Sequence, residues 1–368
     1  MKSLHLYTVC LFSILLSGCN TKTPVSETTE EKHIAVSDSL NSEPPVLQKK
    51  ELKAGTNVFV ITAKGAALYD EPNTETKSIG TISHGTPVKI IAIKDNFAMV
   101  NAYIHRVIED NGKKSEKHSW EDVYTPLHNL GNRNELQILP ELLYEALDFE
   151  NAEEFTSTKK TSSIKQYLNI EIISEKIFND ALKNKSSDFI DHQPVSKKEN
   201  GKLTLSGDNE PLVLTDNYNI ESDYYSINEY IGFIPFLNAY LISETLYEGH
   251  SYNMYDKKTA KVINSFYGFP YISPDKRYVI TIDFDPYESA TEISLYSIKK
   301  GKITALEKGT DYMTGFSPYY DEDEKIITRF WSSDNAFYLK AVHPSLALEN
   351  GEEHNTPIVP QYLKITFK

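Results

Sequence analysis

The sequence predicts a mainly β, multi-domain protein in which a helical connector joins two β-rich regions. Three observations predict this class. Short β-prone runs separated by turn residues fill residues 54–126, and a Tyr-rich pattern that recurs about every 40 residues fills residues 196–368. Apolar residues at helical spacing lie between these regions, in residues 127–195. The chain has 368 residues, of which 40% are hydrophobic, so it is long enough for two or three folded domains.

Residues 1–18 have the pattern of a secretion signal. Lys2 supplies a positive charge, and the apolar stretch Leu4–Leu16 is too short to span a bilayer. The stretch leads into Leu16-Ser17-Gly18-Cys19, which resembles the lipobox of bacterial lipoproteins. The resemblance implies cleavage before Cys19, acylation of Cys19 and a membrane anchor of several acyl chains. An ordinary secretory signal with a chance cysteine is the alternative.

The residues around Cys19 carry two further expectations. Asn20 follows the candidate lipidation site and, by analogy with the sorting rule of enteric Gram-negative bacteria, favours the outer membrane. The chain has two cysteines, Cys10 and Cys19, so cleavage and lipidation would leave no free thiol and no intramolecular disulfide. A Cys-His peptidase and a Cys-ligated metal site are thereby excluded. Residues 19–53 are polar, have no apolar period and are predicted to be a disordered tether.

Residues 54–126 contain closely spaced strand and turn signals. The segments Ile79–Ile82 and Gly85–Ile90 resemble the core of the bacterial SH3-like (SH3b) domain, and Phe97 stands where that family usually has Trp. The resemblance implies a small β-barrel. Asn111-Gly112 is a strong hairpin signal between two runs of this region. The candidate binding residues here are Tyr69, Phe97 and Trp120.

The connector is predicted from two segments with helical spacing. These are Asn134–Phe149, with Pro140 at a first-turn position, and Ile164–Leu182. Tyr167–Ile173 fits a strand as well as a helix, so the start of the second helix stays open.

The region from residue 196 repeats itself. Tyr240-Leu241-Ile242 corresponds to Tyr278-Val279-Ile280, and Tyr255–Val262 corresponds to Tyr296–Ile303. The turn Ser273-Pro274-Asp275 resembles the Ser-Pro-Asp-Gly turn of TolB-like and WD40-like β-propeller blades. The resemblance implies a propeller-like β-meander domain. A closed minimal propeller, an open curved meander and a non-propeller β domain with blade-like hairpins all stay open.

The sequence predicts no catalytic residues, no metal ligands and no cofactor. It contains no Gly-x-Ser-x-Gly, P-loop, Gly-x-Gly-x-x-Gly or His-Glu-x-x-His motif, and no two histidines are spaced i, i+4. His250 and Ser251 are adjacent on a predicted strand, where they would face opposite sides. The acidic groups Asp283–Asp285 with Glu288, and Asp321–Glu324, are interpreted as solvated loops rather than Ca²⁺ ligands.

Tyrosine is the remaining clue to binding, because the chain has 24 Tyr and two Trp. Most are expected to pack between strands, while Tyr224, Tyr225 and the pair Tyr319-Tyr320 are candidates for a binding face.

The net charge of −14 argues against a nucleic-acid partner, since such binding needs a cationic surface. The combined features favour a membrane-anchored envelope lipoprotein that acts as a non-catalytic binding or scaffold module. Its expected partners are the membrane, through the anchor, and cell-wall peptide or glycan or an envelope protein. The alternative is an envelope hydrolase with carboxylate chemistry in the C-terminal β domain.

Overall fold

Antiparallel β-sheet is the main architecture of the protein, as the sequence predicts. The computed structural model describes residues 51–110, 113–146, 160–161, 163–193, 198–219, 225–247, 249–285, 290–307, 312–313, 315–320, 328–347 and 358–368. The expected signal segment, Cys19 and the tether up to residue 50 lie outside the described residues, as do Asn111-Gly112, Tyr224, Glu288 and Asp321–Glu324. None of the helices in the described ranges is both long and apolar enough to cross a bilayer.

The described residues between 51 and 131, called the N-terminal region, form seven strands in two sheets. The strands are β1 (Asn57–Val60), β2 (Ala66–Leu68), β3 (Gly80–Ile82), β4 (Pro87–Lys94), β5 (Phe97–Asp110), β6 (Lys113–Pro126) and β7 (Leu130–Gly131). One sheet has the order β6-β5-β4-β1-β7, and β2 pairs with β3. Alternate strand residues such as Val58, Ile90 and Val100 are fully buried in a shared apolar core. In the part of the chain that is described, no sheet closes into a barrel.

The sequence predicts a helical connector after β7, and this prediction is mostly wrong. The described residues of this segment form short 3-10 helices, strands and a single α-helix. The first predicted helix is replaced by the 3-10 helices Arg133–Glu135 and Pro140–Leu142 and by β8 (Glu145–Ala146), which pairs with β9 (Lys160–Thr161). Pro140 does occupy a first-turn position, but in one of these short 3-10 helices. Residues 147–149 of that prediction lie outside the described residues.

The second predicted helix is divided between a strand and a shorter helix. It forms a 3-10 helix (Ser163–Gln166), β10 (Leu168–Ile173) and α1 (Glu175–Leu182). Ser174 caps α1 by accepting a hydrogen bond from the Ile177 N–H. β10 pairs along its length with β26 (Gln361–Phe367), which buries its alternate residues. Pairing with a distant strand therefore overrides the local helical spacing.

The described residues between 198 and 313 form three consecutive antiparallel sheets. The first contains β11 (Lys198–Glu199), β12 (Lys202–Leu205) and β13 (Leu212–Thr215). The next sheet contains β14 (Ser226–Ile234), β15 (Ala239–Leu246), β16 (Gly249–Asp256) and β17 (Val262–Phe266), and it is called the first meander. The last of the three sheets contains β18 (Tyr271–Ile272), β19 (Tyr278–Asp285), β20 (Ala290–Lys299) and β21 (Lys302–Glu307), with β22 (Tyr312–Met313) paired to β20. It is called the second meander.

The two meanders place the repeated sub-sequences at equivalent strands. Tyr240 lies in β15 and Tyr278 in β19, the second strand of each meander. Tyr255 and Tyr296 lie in the third strands, β16 and β20. The faces between the meanders share one apolar core. The sequence repeat is therefore a structural repeat of one four-stranded unit.

Side-chain hydrogen bonds hold the turn at Ser273-Pro274-Asp275. The Asp275 carboxylate accepts hydrogen bonds from the Arg277 N–H, at 3.1 Å, and from the Ser273 hydroxyl, at 2.7 Å. The following strand, β19, is thereby fixed at its start.

A fourth sheet, called the β10–β26 sheet, joins distant parts of the chain. Besides β10 and β26 it contains β23 (Ser317–Pro318), β24 (Arg329–Trp331) and β25 (Phe337–Val342), and α2 (Pro344–Ala347) follows β25. The strand order is β10-β26-β25-β23, with β24 paired to β25. Its inner face shares a core with the second meander. Four buried apolar residues also pack it against the N-terminal region: Phe59, Leu136, Val342 and Leu346.

Candidate functional site

A cleft of about 670 Å³ opens where three sheets meet. β16 of the first meander, β18 and β19 of the second meander, and β24 of the β10–β26 sheet all contribute to it. Its lining residues are His250, Tyr252, Phe269, Tyr271, Asp283, Tyr320 and Arg329. A concave site with aromatic walls and a few convergent polar groups is the usual form of a small-ligand site.

Asp283 is the hub of the polar groups in the cleft. Its carboxylate accepts a hydrogen bond from the Tyr320 hydroxyl at 2.6 Å and lies 3.1 Å from Nε2 of His250. Burial alone would raise the pKa of Asp283, but the hydrogen bonds with His250 and Tyr320 and the charge of Arg329 lower it below its ordinary value. The carboxylate therefore stays ionised.

His250 and Tyr320 respond to Asp283 in the expected directions. The hydrogen bond to Asp283 raises the pKa of His250, and partial burial opposes this effect. Burial is the main cause that raises the pKa of Tyr320 to about 12. Tyr320 therefore remains a hydrogen-bond donor, and His250 is protonated more readily than a free imidazole.

Arg329 supplies a cation that lies against the Tyr320 ring. Its guanidinium donates to the Ile282 carbonyl at 2.7 Å, and its central carbon lies 4.8 Å from the centroid of the Tyr320 ring. The side chain is half-buried, so part of it remains available to a ligand. Tyr320 is thus held between a carboxylate and a cation.

The apolar wall is a chain of edge-to-face aromatic contacts. The ring centroids of Tyr252 and Phe269 are 5.5 Å apart, and those of Phe269 and Tyr271 are 4.9 Å apart. Tyr271 in turn contacts the fully buried Phe337, with centroids 5.1 Å apart. The wall is therefore anchored in the core and offers a rigid surface to a ligand.

A second carboxyl group lies beside the cleft. Glu292 of β20 is the cross-strand partner of Asp283, so both side chains point to the same face of the sheet. Burial, together with the charges of Asp283 and Asp285, raises the pKa of Glu292 to about 7. The pair thus combines an ionised carboxylate with a carboxyl group that holds its proton near neutral pH.

The structure corrects the interpretation of Asp283–Asp285 as a solvated loop. Both Asp283 and Asp285 belong to β19 and are half-buried, and Asp283 lines the cleft. Tyr320, which the sequence offers as a candidate for a binding face, lies in the same cleft. The expectation that His250 and Ser251 face different sides is confirmed, because His250 contacts Asp283 while the Ser251 hydroxyl donates to Glu244.

The other predicted binding residues lie away from this cleft. Tyr69 and Phe97 pack edge-to-face in the N-terminal region, with centroids 6.3 Å apart. Trp120 is 66% exposed and contacts Tyr103 instead, at 5.7 Å between centroids. Tyr225 is half-buried just before β14. Tyr224 lies outside the described residues.

The sequence gives no direct sign of Arg329 as a site residue or of the contact between His250 and Asp283. These residues are far apart along the chain and meet only because three sheets converge. The repeat offers a partial signal, because it places His250 and Asp283 on adjacent four-stranded units.

Comparisons with known proteins found no matching family model, no matching curated protein and no matching solved structure.

Proposed function

We propose that this protein is a lipid-anchored envelope protein whose C-terminal β region binds a cell-wall ligand without transforming it. The observation that carries the proposal is the cleft, in which an aromatic wall faces Asp283, His250 and Arg329. Aromatic faces pack against sugar rings, and paired charged donors and acceptors bind hydroxyl and amide groups. A glycan with amide substituents, such as the cell-wall polymer, fits both features.

The proposed architecture supports this role. The N-terminal sheets are proposed to be an SH3-like domain, on the strength of the Gly85–Ile90 resemblance, and the two meanders to be blades of a propeller-like domain. The lipobox resemblance at Cys19 supports an anchor, and Asn20 favours the outer membrane. An anchored protein of this kind would hold its cleft close to the cell wall.

Binding is tested by co-sedimentation of the full chain, in detergent, with purified peptidoglycan sacculi. Tyr320→Ala removes the ring between Asp283 and Arg329 from a position that is 46% exposed, so the fold should persist. We expect this variant to lose most of the bound fraction. Tyr267→Ala is the matched control, because Tyr267 is 70% exposed and does not line the cleft. Equal retention of both variants, or no retention of the unmodified chain, would contradict the proposal.

The anchor is tested separately. Cys19→Ser should move the protein from the membrane fraction to the soluble fraction of the cells that produce it. Unchanged membrane retention would remove the anchor from the proposal and leave the cleft untouched.

A second candidate function is hydrolysis, and the pairing of Asp283 with Glu292 is the observation that favours it. General acid catalysis at neutral pH needs a carboxyl group with a raised pKa near an ionised carboxylate. Release of soluble fragments from sacculi by the unmodified chain, abolished in Glu292→Gln, would establish this function. Binding without release would exclude it for this substrate.

A further inference from the structure

The β5–β6 hairpin brings together three side chains that the sequence leaves 2 to 13 residues apart. Its strands pair from Phe97 with Pro126 through to Asp110 with Lys113. β4 pairs with β5 only between Phe97 and Val100, so the rest of the hairpin extends beyond it. This extension presents one face to the protein and the other to solvent.

The two faces are distinguished by burial and contacts. On the inner face, Ile104 is buried and Arg106 donates hydrogen bonds to both Asp70 and Glu121. The outer face carries three cross-strand pairs: Tyr103 with Trp120, His105 with His118, and Val107 with Glu116. All six outer side chains are exposed.

His105, His118 and Glu116 form a tight cluster on the outer face. The two imidazole rings stack with centroids 4.4 Å apart and an interplanar angle of 10°. Nε2 of His105 lies 3.5 Å from a carboxylate oxygen of Glu116. One nitrogen or oxygen atom from each residue lies within 4.8 Å of the others. Ligands bound at about 2.1 Å around one ion lie roughly 3–4 Å apart, so modest side-chain rotation closes the remaining gap.

The chemistry of the cluster selects the class of ion. Two imidazoles and one carboxylate suit first-row transition metals such as Zn²⁺ and Cu²⁺, whereas Ca²⁺ and Mg²⁺ require mostly oxygen ligands. The exposed side chains can turn without disturbing the core. Three protein ligands on a solvent face leave at least one coordination position for water or a partner group.

We propose that the outer face of the β5–β6 hairpin binds a divalent first-row transition-metal ion through His105, His118 and Glu116. The site is independent of the cleft and of the proposed cell-wall ligand. It lies on a continuously paired pair of strands, which sets the backbone positions of all three ligands.

Trp120 provides a direct optical measurement of this site. It lies two residues from His118 on the same face, and it is 66% exposed. The chain contains one other tryptophan, Trp331, which is buried. Bound Cu²⁺ quenches nearby tryptophan fluorescence, so titration of the full chain in detergent with CuCl₂ should give saturable quenching at one ion per chain. Zn²⁺, which does not quench, should compete and restore the signal.

Variants separate this site from metal bound elsewhere. His105→Asn and His118→Asn should each weaken Cu²⁺ binding by at least roughly tenfold. Loss of a residue that only hydrogen-bonds to a metal ligand already weakens metal binding by about that factor. His192→Asn is the matched control, because His192 is another exposed histidine beside a carboxylate, at 2.9 Å from Asp188. Trp120→Phe should abolish most of the quenching while Zn²⁺ binding by calorimetry remains.

Three results would overturn the proposal. They are linear, non-saturating quenching of the unmodified chain, binding that survives in both ligand variants, and equal loss in the His192→Asn control. Each ligand variant should keep the melting temperature of the unmodified chain in metal-free buffer. A lower melting temperature would mean that the variant loses binding because it unfolds. In that case the exposed Glu116→Gln variant decides the outcome through the same titration.

Discussion

Asp283 shows how one side chain organises a site assembled from three sheets. One of its carboxylate oxygens accepts a hydrogen bond from Tyr320, the other contacts His250, and the charge of Arg329 helps to lower its pKa. A carboxylate with these partners is held in place as well as held ionised. Asp283 therefore helps to fix His250 and Tyr320 relative to each other.

The coupling between Asp283 and His250 can be measured directly. In Asp283→Asn the partner that raises the pKa of His250 is neutralised, while partial burial still lowers it. The pKa of His250 should therefore fall, as followed by NMR titration of the imidazole protons. The pKa of His192, which is raised by Asp188, should stay where it is and serves as the internal control. A His250 titration that does not move would contradict the contact.

Glu292 makes the free energy of unfolding depend on pH in a definite direction. Its pKa is about 7 in the folded chain against an ordinary value of 4.5, so the folded state binds the extra proton between these pH values. Its contribution is favourable below pH 4.5 and is lost as pH rises through 7. Glu292→Gln should therefore be more stable than the unmodified chain at about pH 8, and the difference should shrink at about pH 5. Urea denaturation at both pH values measures this, and an equal difference at both would contradict the raised pKa.

At the scale of elements, local sequence patterns predict strands and turns well but not every helix. The Ser273-Pro274-Asp275 turn follows from short-range side-chain capping, and the two repeats are indicated by the recurring sub-sequences. The segment Leu168–Ile173 fits helix and strand equally, and its pairing with β26 decides for the strand. No local pattern contains that partner.

The hairpin site is accessible to sequence reasoning in a way that the cleft is not. The Asn111-Gly112 signal predicts strands joined by two residues, and the observed register, which agrees with this, places His105 opposite His118. The spacing i, i+4 identifies histidine pairs on one helix face and not pairs that face each other across a hairpin. The Asp283, His250 and Arg329 constellation instead requires the packing of whole sheets, which alternation and turn signals do not specify.

The contribution of β26 to the free energy of unfolding can be measured by truncating one of its buried side chains. Leu363 is fully buried in the β10–β26 sheet, so Leu363→Ala should lower the free energy of unfolding by about 2–5 kcal/mol. Val359 lies just before β26 and is 53% exposed, so Val359→Ala should change it by less than about 0.5 kcal/mol. Chemical denaturation compares the two. Similar effects of both substitutions would contradict the burial of β26 in this core.

Across the whole molecule, one histidine pair joins the N-terminal region to the β10–β26 sheet. The rings of His84 and His343 meet edge-to-face with centroids 5.1 Å apart. His343 also covers Gly85, where φ is +81° and a Cβ would overlap the imidazole ring. The close approach requires a residue without a side chain at this position.

This pair makes the stability of the molecule sensitive to acid. Burial, and secondarily the proximity of His84, lowers the pKa of His343 to about 3 from an ordinary value of 6.5. The unfolded chain therefore binds the proton first, and stability is lost as pH falls from 6.5 towards 3, by at most about 1.4 kcal/mol per pH unit for this group. His343→Gln should flatten this dependence in denaturation measured at about pH 7, 6 and 5. His192→Gln, which removes a histidine whose pKa is raised, should not flatten it.

The pairing of β10 with β26 also sets an order of events during synthesis. β10 leaves the ribosome about 190 residues before its partner, so its edge has nothing to pair with while both meanders emerge. An unpaired strand edge is a template for association with other chains. This delay would keep the β10–β26 sheet unformed until β26 has emerged, and under the proposed export it would keep the chain competent for translocation until then.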